Sequence, residues 1–517
     1  MLERQRKLYL VFVLVVVWRV GLLVFTVQPI PANDAFFFDG AVVNWLHHGA
    51  YVNPSLSEVF AISGRQVYSP YPPLYQAAAV IWMSVLGTSV IAAIGLHLAL
   101  FAASGFLVLA IIRKYFPDGN FAWAGLLFLG ITFGDRPEDL AHVFGLTSLY
   151  FVLKNLSFPS HWRTELWILL ALLAALYTSV IAGALYYGIG FIASSGGWPG
   201  KLRLRVFTPF VGAAIGFVVI AASIAHFTPL YWQGFLENAR QTPVLSTGFH
   251  HPQPVEVIKL IRTAPVFLLV AALLPLLVPR IRELPREPWL CLWAGVFVMG
   301  SVLLMADMVL LAPNYVMYVL LIQVILAAGL IQVTRGMFPD KTRLVSAAVL
   351  GCGVLLSVRA VGMTTWGVLC SAHNSYGQTH QTLKTELEPF SHTSTPVILS
   401  SPFLYSALEF GVVHPIHFDW YFDRVSTNRD ADYASLLAMR PTKIILTQFD
   451  YYRGFTAMEQ RLREHPELVL VHVRNDAVIK PPDANPSLQR IVQHISWAPV
   501  IVDLDWKPGI KTLRQRD

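Results

Sequence analysis

From residue 8 to residue 361 the chain is a succession of apolar runs separated by short, mostly basic loops, and beyond that the pattern stops. No other feature constrains the fold as much. A hydrocarbon core about 30 Å thick takes roughly 20 apolar residues to cross as a helix. Backbone in lipid must also satisfy its hydrogen bonds internally. Composition agrees: of 517 residues, 55% are hydrophobic and only 13% charged, with a mean hydropathy of +0.54. A soluble domain carries about 25% charged residues. The expected fold is therefore a polytopic α-helical membrane protein with a soluble C-terminal tail. The formal charge of +7 does not point to nucleic acid, because most of the N-terminal excess sits in short loops between apolar runs and no basic face is interleaved with aromatics. Of the three cysteines, Cys291 and Cys352 lie inside apolar runs and Cys370 beyond them. Neither a disulfide framework nor a metal-type spacing is implied.

Charge sets the direction of the spans. Arg4, Arg6 and Lys7 precede the first apolar run, residues 8–27, which reads as a retained signal anchor with the N-terminus in the cytoplasm. Residues 34–75 are then external. Residues 74–86 are apolar but too short to cross, and Pro72-Pro73 and Gly87 bound them, so they read as an interfacial or re-entrant helix. With that segment not crossing, the spans are expected at 89–112, 121–134, 140–153, 166–180, 181–194, 207–227, 264–278, 289–311, 315–333 and 344–360. Each inside loop is then basic. The total is about eleven spans, and the tail is extracytoplasmic. The membrane domain is assigned to 1–361, with external loops at 28–88, 135–139 and 228–263, and the tail to 362–517.

In the tail, strand-length apolar bursts (PVILSS, TKIILTQ, LVLVHVR, PVIVDLDW) alternate with helical stretches at 433–439 and 456–465. That alternation predicts a small α/β domain with a partly parallel sheet. No Gly-rich phosphate loop precedes its helices, and there is no internal repeat.

This topology gives the external face two acidic sites, Asp34 with Asp39, and Glu138 with Asp139. Carboxylates among aromatics at a membrane surface are costly to desolvate. One reading is a general base or a metal ligand at an outward cavity. The other is that Asp34, beside Asn33, caps the helix AFFFDGAVVNWLHH. Arg136 either neutralises a lipid-borne phosphate or pairs with Glu138 or Asp139 at a helix start. The adjacent His47-His48 cannot share one helical face and read as helix-end residues, and His250-His251 is as weak a signal. Tyr68, Tyr71 and Tyr75 either line a sugar pocket or serve as ordinary interfacial aromatics. Lys259 and Arg262 sit on the outer side against the positive-inside trend, which suits an anionic ligand. Asn314 and Tyr315 open a span at the same face, and Asp307 is an intramembrane acid.

Three stretches together resemble the GT-C membrane glycosyltransferases, in style the protein O-mannosyltransferases and the aminoarabinose transferases that modify lipid A. They are Asp34 with Phe38 and Gly49, Tyr71-Pro72-Pro73-Leu74, and Arg136-Pro137-Glu138-Asp139-Leu140. The motifs cover about the first 160 residues. The resemblance implies transfer of a sugar from a polyprenyl-phosphate donor to a glycan, lipid or protein acceptor outside the membrane, with no nucleic acid involved. It implies an inner-membrane, multi-pass location, and the endoplasmic reticulum would have the same topology. It gives Asp34 the role of catalytic base or acceptor-orienting acid. Glu138 or Asp139 becomes the second-loop acid, and Arg136, Lys259 or Arg262 holds the carrier phosphate. The family's usual second acid is replaced by Ala35, with Asp39 one turn on, which leaves a divalent metal open and makes no cofactor certain. Two other readings stand beside it: a flippase for a lipid-linked saccharide, and a scaffold whose external tail binds a partner.

Overall fold

The structure, a computed structural model, describes residues 2–26, 35–55, 72–116, 122–131, 136–158, 161–196, 204–227, 254–284, 287–310, 315–373, 376–418, 429–451, 455–475 and 499–507. Two compact units emerge. One comprises Met1–Val20, Tyr71–Tyr75 and Leu96–Met363, and the other Gly21–Pro70, Gln76–Gly95 and Thr364–Asp517. The second unit thus takes in parts of the first external loop along with the tail, where the sequence reading divides the chain at 361/362.

The helices in chain order begin with α1 (Leu2–Thr26), α2 (Ala35–His48), α3 (Leu74–Leu86), α4 (Val90–Tyr115), α5 (Ala122–Gly130) and α6 (Glu138–Ser157). Next come α7 (Trp162–Thr178), α8 (Val180–Gly196), α9 (Thr208–Phe227), α10 (Pro254–Thr263) and α11 (Pro265–Ile281). The run ends with α12 (Pro288–Leu310), α13 (Tyr315–Leu320), α14 (Ile322–Met337) and α15 (Thr342–His373). Among the described residues, four helical stretches are long and apolar enough to cross a membrane: Val90–Tyr115, Pro288–Ala306, Tyr318–Met337 and Pro339–Gly362. Leu74–Leu86, Val180–Gly196, Thr208–Ile224 and Pro265–Ile281 are shorter apolar helices. The short helix expected at 74–86 is present as α3. It ends at Gly87, whose φ of +86° accommodates the turn and whose N–H donates to the Met83 carbonyl. The run expected at 140–153 is longer than its apolar part, because the flanking Glu138, Asp139, Lys154 and Asn155 are helical too. Hydropathy reports apolarity, whereas a helix continues as long as its backbone bonds do.

In the first unit, α6 packs on α7 and α8, α8 on α12, and α14 on α5, α11 and α12. α14 is mostly apolar and is buried from Ile322 to Ile331, as a helix at the centre of a bundle should be. Where α10 breaks into α11, Gln323 of α14 donates to the Thr263 carbonyl at 2.9 Å and accepts from the Val266 N–H at 3.3 Å. The broken backbone is satisfied in place by that one amide. Leu10, Leu14 and Val17 of α1 and Ile215, Val218 and Val219 of α9 point outward and are exposed. Apolar patches of that kind are what a bilayer covers.

In the second unit, α16 (Tyr376–Leu387), α17 (Ser401–Glu409), α18 (Arg429–Met439) and α19 (Thr456–Arg463) accompany a five-stranded sheet. Its strands are β1 (Val397–Leu399), β2 (Pro415–His417), β3 (Lys443–Leu446), β4 (Leu468–Asn475) and β5 (Val500–Trp506), in the order β2-β1-β3-β5-β4. β1 runs parallel to β2 and β3, while β5 is antiparallel to β3 and β4. The partly parallel sheet and four of its strands match the sequence expectation. β2 went unnoticed: it is three residues long and opens on Pro415, which a strand tolerates at an edge. Ile398, Ile444, Val500 and Val502 form the buried centre. Arg474 of β4 makes a bidentate pair with Glu386 at 2.7 and 2.9 Å. It also reaches Asp503 of β5 at 2.9 Å, and Lys443 meets Glu386 from β3. In the same unit α2 packs on α17, with Phe36 against the His417 ring at 5.0 Å.

Candidate functional site

α6 begins at Glu138, after Arg136 and Pro137, and this start carries a buried charged cluster. Pro137 suits the first turn because the N–H it lacks would be unsatisfied there anyway. The Asp139 N–H donates back to the Arg136 carbonyl at 3.1 Å and closes the turn. Arg136 and Glu138 are both buried, with Arg136 Nε 3.4 Å from Glu138 Oε2. The other carboxylate oxygen, Oε1, accepts from Ser179 Oγ at 3.1 Å and from the Tyr318 hydroxyl at 3.0 Å. Ser179 is the single residue joining α7 to α8, and Tyr318 lies in α13. The start of α6, the α7–α8 joint and α13 thus meet at Glu138. Such compensation is what a buried charge requires.

Asp139 turns away from Glu138 toward α4. Its Oδ2 lies 2.8 Å from His97 Nδ1, and His97 Nε2 lies 2.9 Å from the Tyr75 hydroxyl. His97 and Tyr75 are fully buried, whereas the Asp139 side chain keeps 14% of its surface. Glu138, His142 and Gly145 follow one another at helical spacing on one face of α6. His142 Nδ1 meets the Tyr186 hydroxyl of α8 at 2.6 Å. A Cβ on Gly145 would overlap the Tyr186 ring, so the glycine sets how closely the two helices approach.

Of the residues singled out from sequence, the structure brings Arg136, Glu138 and Asp139 together. Asp34 and Tyr71 lie outside the described residues. So do the side chains of Lys259, Asp307 and Tyr315, whose backbones belong to α10, α12 and the first turn of α13. Arg262 is exposed on α10. Asp39 is fully buried on α2 in the second unit. There Asn53 donates to the Phe36 and Phe37 carbonyls at 2.8 and 3.3 Å and so fixes the first turn of that helix. His47 and His48 sit at the end of α2, on Thr88 Oγ1 at 3.1 Å and the Gly411 carbonyl at 3.2 Å, in keeping with helix-end residues. Tyr75, read as one possible wall of a sugar pocket, is instead enclosed with its hydroxyl on His97. Among the described residues no group of three or more His, Cys, Asp or Glu side chains could hold a metal ion.

Sequence reasoning passed over His97, Ser179 and Tyr318. His97 had a signal: it is an ionisable side chain in the apolar run VIAAIGLHLALFAA, and such residues in spans are functional candidates by default. Ser179 and Tyr318 had none, since serines and tyrosines occur in apolar stretches for many reasons and nothing local names a distant partner.

No family model matches the chain, and no curated protein matches it. Among solved structures it is similar to ArnT from Cupriavidus metallidurans bound to undecaprenyl phosphate, at 12% identity and TM-score 0.49, covering 94% of this chain and 97% of that one. The same protein in its apo state gives 13% identity and TM-score 0.47 with the same coverage. The Archaeoglobus fulgidus oligosaccharyltransferase, in complex with Zn and sulfate, gives 10% identity and TM-score 0.46, over 87% of this chain and 69% of that one.

Proposed function

We propose that the protein is a membrane glycosyltransferase that moves a sugar from a polyprenyl-phosphate carrier to a glycan, lipid or protein acceptor on the extracytoplasmic face. The observation that carries this reading is the buried Arg136–Glu138 pair at the start of α6, with the half-buried Asp139 beside it, in the motif whose sequence resembles the second external loop of the GT-C enzymes. A guanidinium is the group best suited to a phosphate at low dielectric, because it stays charged and presents several donors in a plane. The membrane frame is the one read from charge: about eleven spans, N-terminus cytoplasmic, and residues 362–517 extracytoplasmic on an inner-membrane protein.

In the reaction, an acceptor oxygen forms a bond to the anomeric carbon and the bond from that carbon to the carrier phosphate breaks. The electron pair leaves on the phosphate, and the acceptor proton passes to a carboxylate. Asp34 is that base, with Asp39 the next candidate. Arg136, supported by Lys259 and Arg262, meets the charge that grows on the departing phosphate. Tyr71 and Tyr315 contribute to the walls around the sugar. A divalent metal remains compatible with these roles, and chelation during the assay tests for it.

The experiment is transfer by the full-length protein in vesicles supplied with undecaprenyl-phosphate-linked sugars, read as release of undecaprenyl phosphate. Asp34→Asn should reduce release by on the order of 10²–10⁴-fold, as loss of a general base does, with membrane insertion intact. Near-wild-type release by that variant would remove Asp34 from the reaction. The polar chain of Tyr75, His97 and Asp139 favours one other reading, a carrier that moves the lipid-linked sugar across the membrane. In that case the donor would change leaflet and no undecaprenyl phosphate would appear.

A further inference from the structure

Arg136-Pro137-Glu138-Asp139 offers two adjacent acids, and the geometry around them differs. Glu138 is held at depth: two hydroxyls, from the α7–α8 joint and from α13, donate to one oxygen, and the Arg136 guanidinium faces the second at 3.4 Å. Its side chain keeps only 4% of its surface. Asp139 keeps 14% and is gripped on one oxygen by His97. Glu138 is thus the anchor of Arg136, and Asp139 is the acid left to meet a ligand.

We propose that His97 is a positioning residue which, backed by Tyr75, orients the Asp139 carboxylate, and that it does so with its proton on Nδ1. For a neutral ring, the hydrogen-bond inventory selects that tautomer. An ionised carboxylate can only accept, so the ring nitrogen facing Asp139 must carry the hydrogen. In a neutral imidazole the other nitrogen is then an acceptor, and the Tyr75 hydroxyl donates to it. The order is Tyr75 O–H to Nε2, then Nδ1–H to Asp139 Oδ2. The three groups come from the starts of α3 and α6 and from the third turn of α4, and the ring is closed off from water. This assignment deepens the transferase reading, by deciding which second-loop acid works there, but its first test does not depend on that reading.

Nitrogen-15 NMR of the full-length protein labelled at histidine reports which ring nitrogen is protonated, and His97→Asn identifies the His97 signals by their loss. The expected result is a protonated Nδ1 and an unprotonated Nε2. Asp139→Leu removes the acceptor, so a buried Nδ1–H would be left without a partner and His97 should switch its proton to Nε2, where the Tyr75 oxygen can accept it. A wild-type ring protonated on Nε2, or a pattern indifferent to Asp139→Leu, would overturn the proposal. The second arm is transfer. His97→Asn keeps an N–H close to the position of Nδ1 and should retain kcat within a few-fold of wild type. His97→Leu removes the donor and should lose on the order of 10–100-fold in kcat, as misplacement of a substrate-orienting group does. Equal losses in the two variants would also overturn the positioning role. A wild-type protein that releases no undecaprenyl phosphate from any donor would defeat the transferase reading, and the NMR result would still decide the role of His97.

Discussion

Tyr318 donates its hydroxyl to Glu138 Oε1 at 3.0 Å, across a separation of 180 residues. With Ser179 on the same oxygen, the bond ties α13 and the α7–α8 joint to the first residue of α6. Hydrogen bonds to charged groups contribute about 1.5–3 kcal/mol each. Tyr318→Phe should lower the apparent melting temperature in detergent, and Ser179→Ala by less, its bond being slightly longer. The double variant should lose more than the sum, because the second deletion leaves Oε1 with no hydroxyl donor. Strict additivity in a double-mutant cycle would mean that the two hydroxyls do not act on one charge.

Arg136 and Glu138 should show the asymmetry of a buried ion pair. Arg136→Met leaves a carboxylate without its cation and should destabilise by about 3–5 kcal/mol. Arg136→Met combined with Glu138→Leu removes both charges and should recover most of that loss, while transfer stays absent. Melting temperature and undecaprenyl phosphate release, measured on the same preparations, separate the two effects.

Arg19 caps α5. Its guanidinium donates to the Phe128 and Leu129 carbonyls, each at 3.2 Å, and to that of Ile131, and it lies over the Phe101 ring at 4.5 Å. A cation is favoured at a helix C-terminus, where carbonyls have no partner within the helix. Arg19→Met should cost about 1–3 kcal/mol, read as faster proteolysis or earlier thermal unfolding. Arg19→Lys should recover part of this, since an ammonium reaches fewer of those carbonyls at once.

The sheet has a pH signature. Hydrogen bonds from Arg474, and then from Lys443, hold the Glu386 carboxyl at about 2, well below its ordinary 4.5. The folded value is depressed, so the stability it contributes is fully present above about pH 4.5 and is lost as pH falls through about 2. Glu386→Gln should therefore be less stable than wild type by a constant margin at neutral pH, and the gap should close between those two values. Hydrogen exchange at the β4 and β5 amides follows it. A gap that persisted unchanged at pH 2 would mean that the carboxylate charge is not what holds Arg474.

The sequence was most legible where punctuation and composition act locally. Pro72-Pro73 and Gly87 bracket α3, and β1, β3, β4 and β5 announce themselves as short apolar bursts. It was least legible where a bond joins distant residues. Asp139 was visible as an acid at a helix start, but its partner is 42 positions upstream in a different apolar helix. His97 stood out as an ionisable group in a hydrophobic run, yet nothing local says whether such a group faces a partner or a pocket. Arg136 and Glu138 could be paired from sequence because they share one turn. The two hydroxyls that complete Glu138 could not, because Ser and Tyr occur in apolar helices for many reasons. For Asp34, the first-loop acid of the resemblance, the described residues begin just after it and show only how Asn53 fixes the turn that follows.

The distance along the chain between Glu138 and Tyr318 also sets an order of events during biosynthesis. At about 5–20 residues per second, the ribosome takes roughly 10–35 s to pass from one to the other. Through that interval α6 must reside somewhere with its acid lacking a donor that has not yet been made. Arg136, two residues earlier, is present from the start, and Ser179 follows within seconds. The neighbouring cation can thus act as the chaperone of its own helix, keeping Glu138 neutralised until the last donor arrives. Moving the arginine elsewhere in the cluster, even to a place where the finished protein would tolerate it, should then show first as a defect in yield.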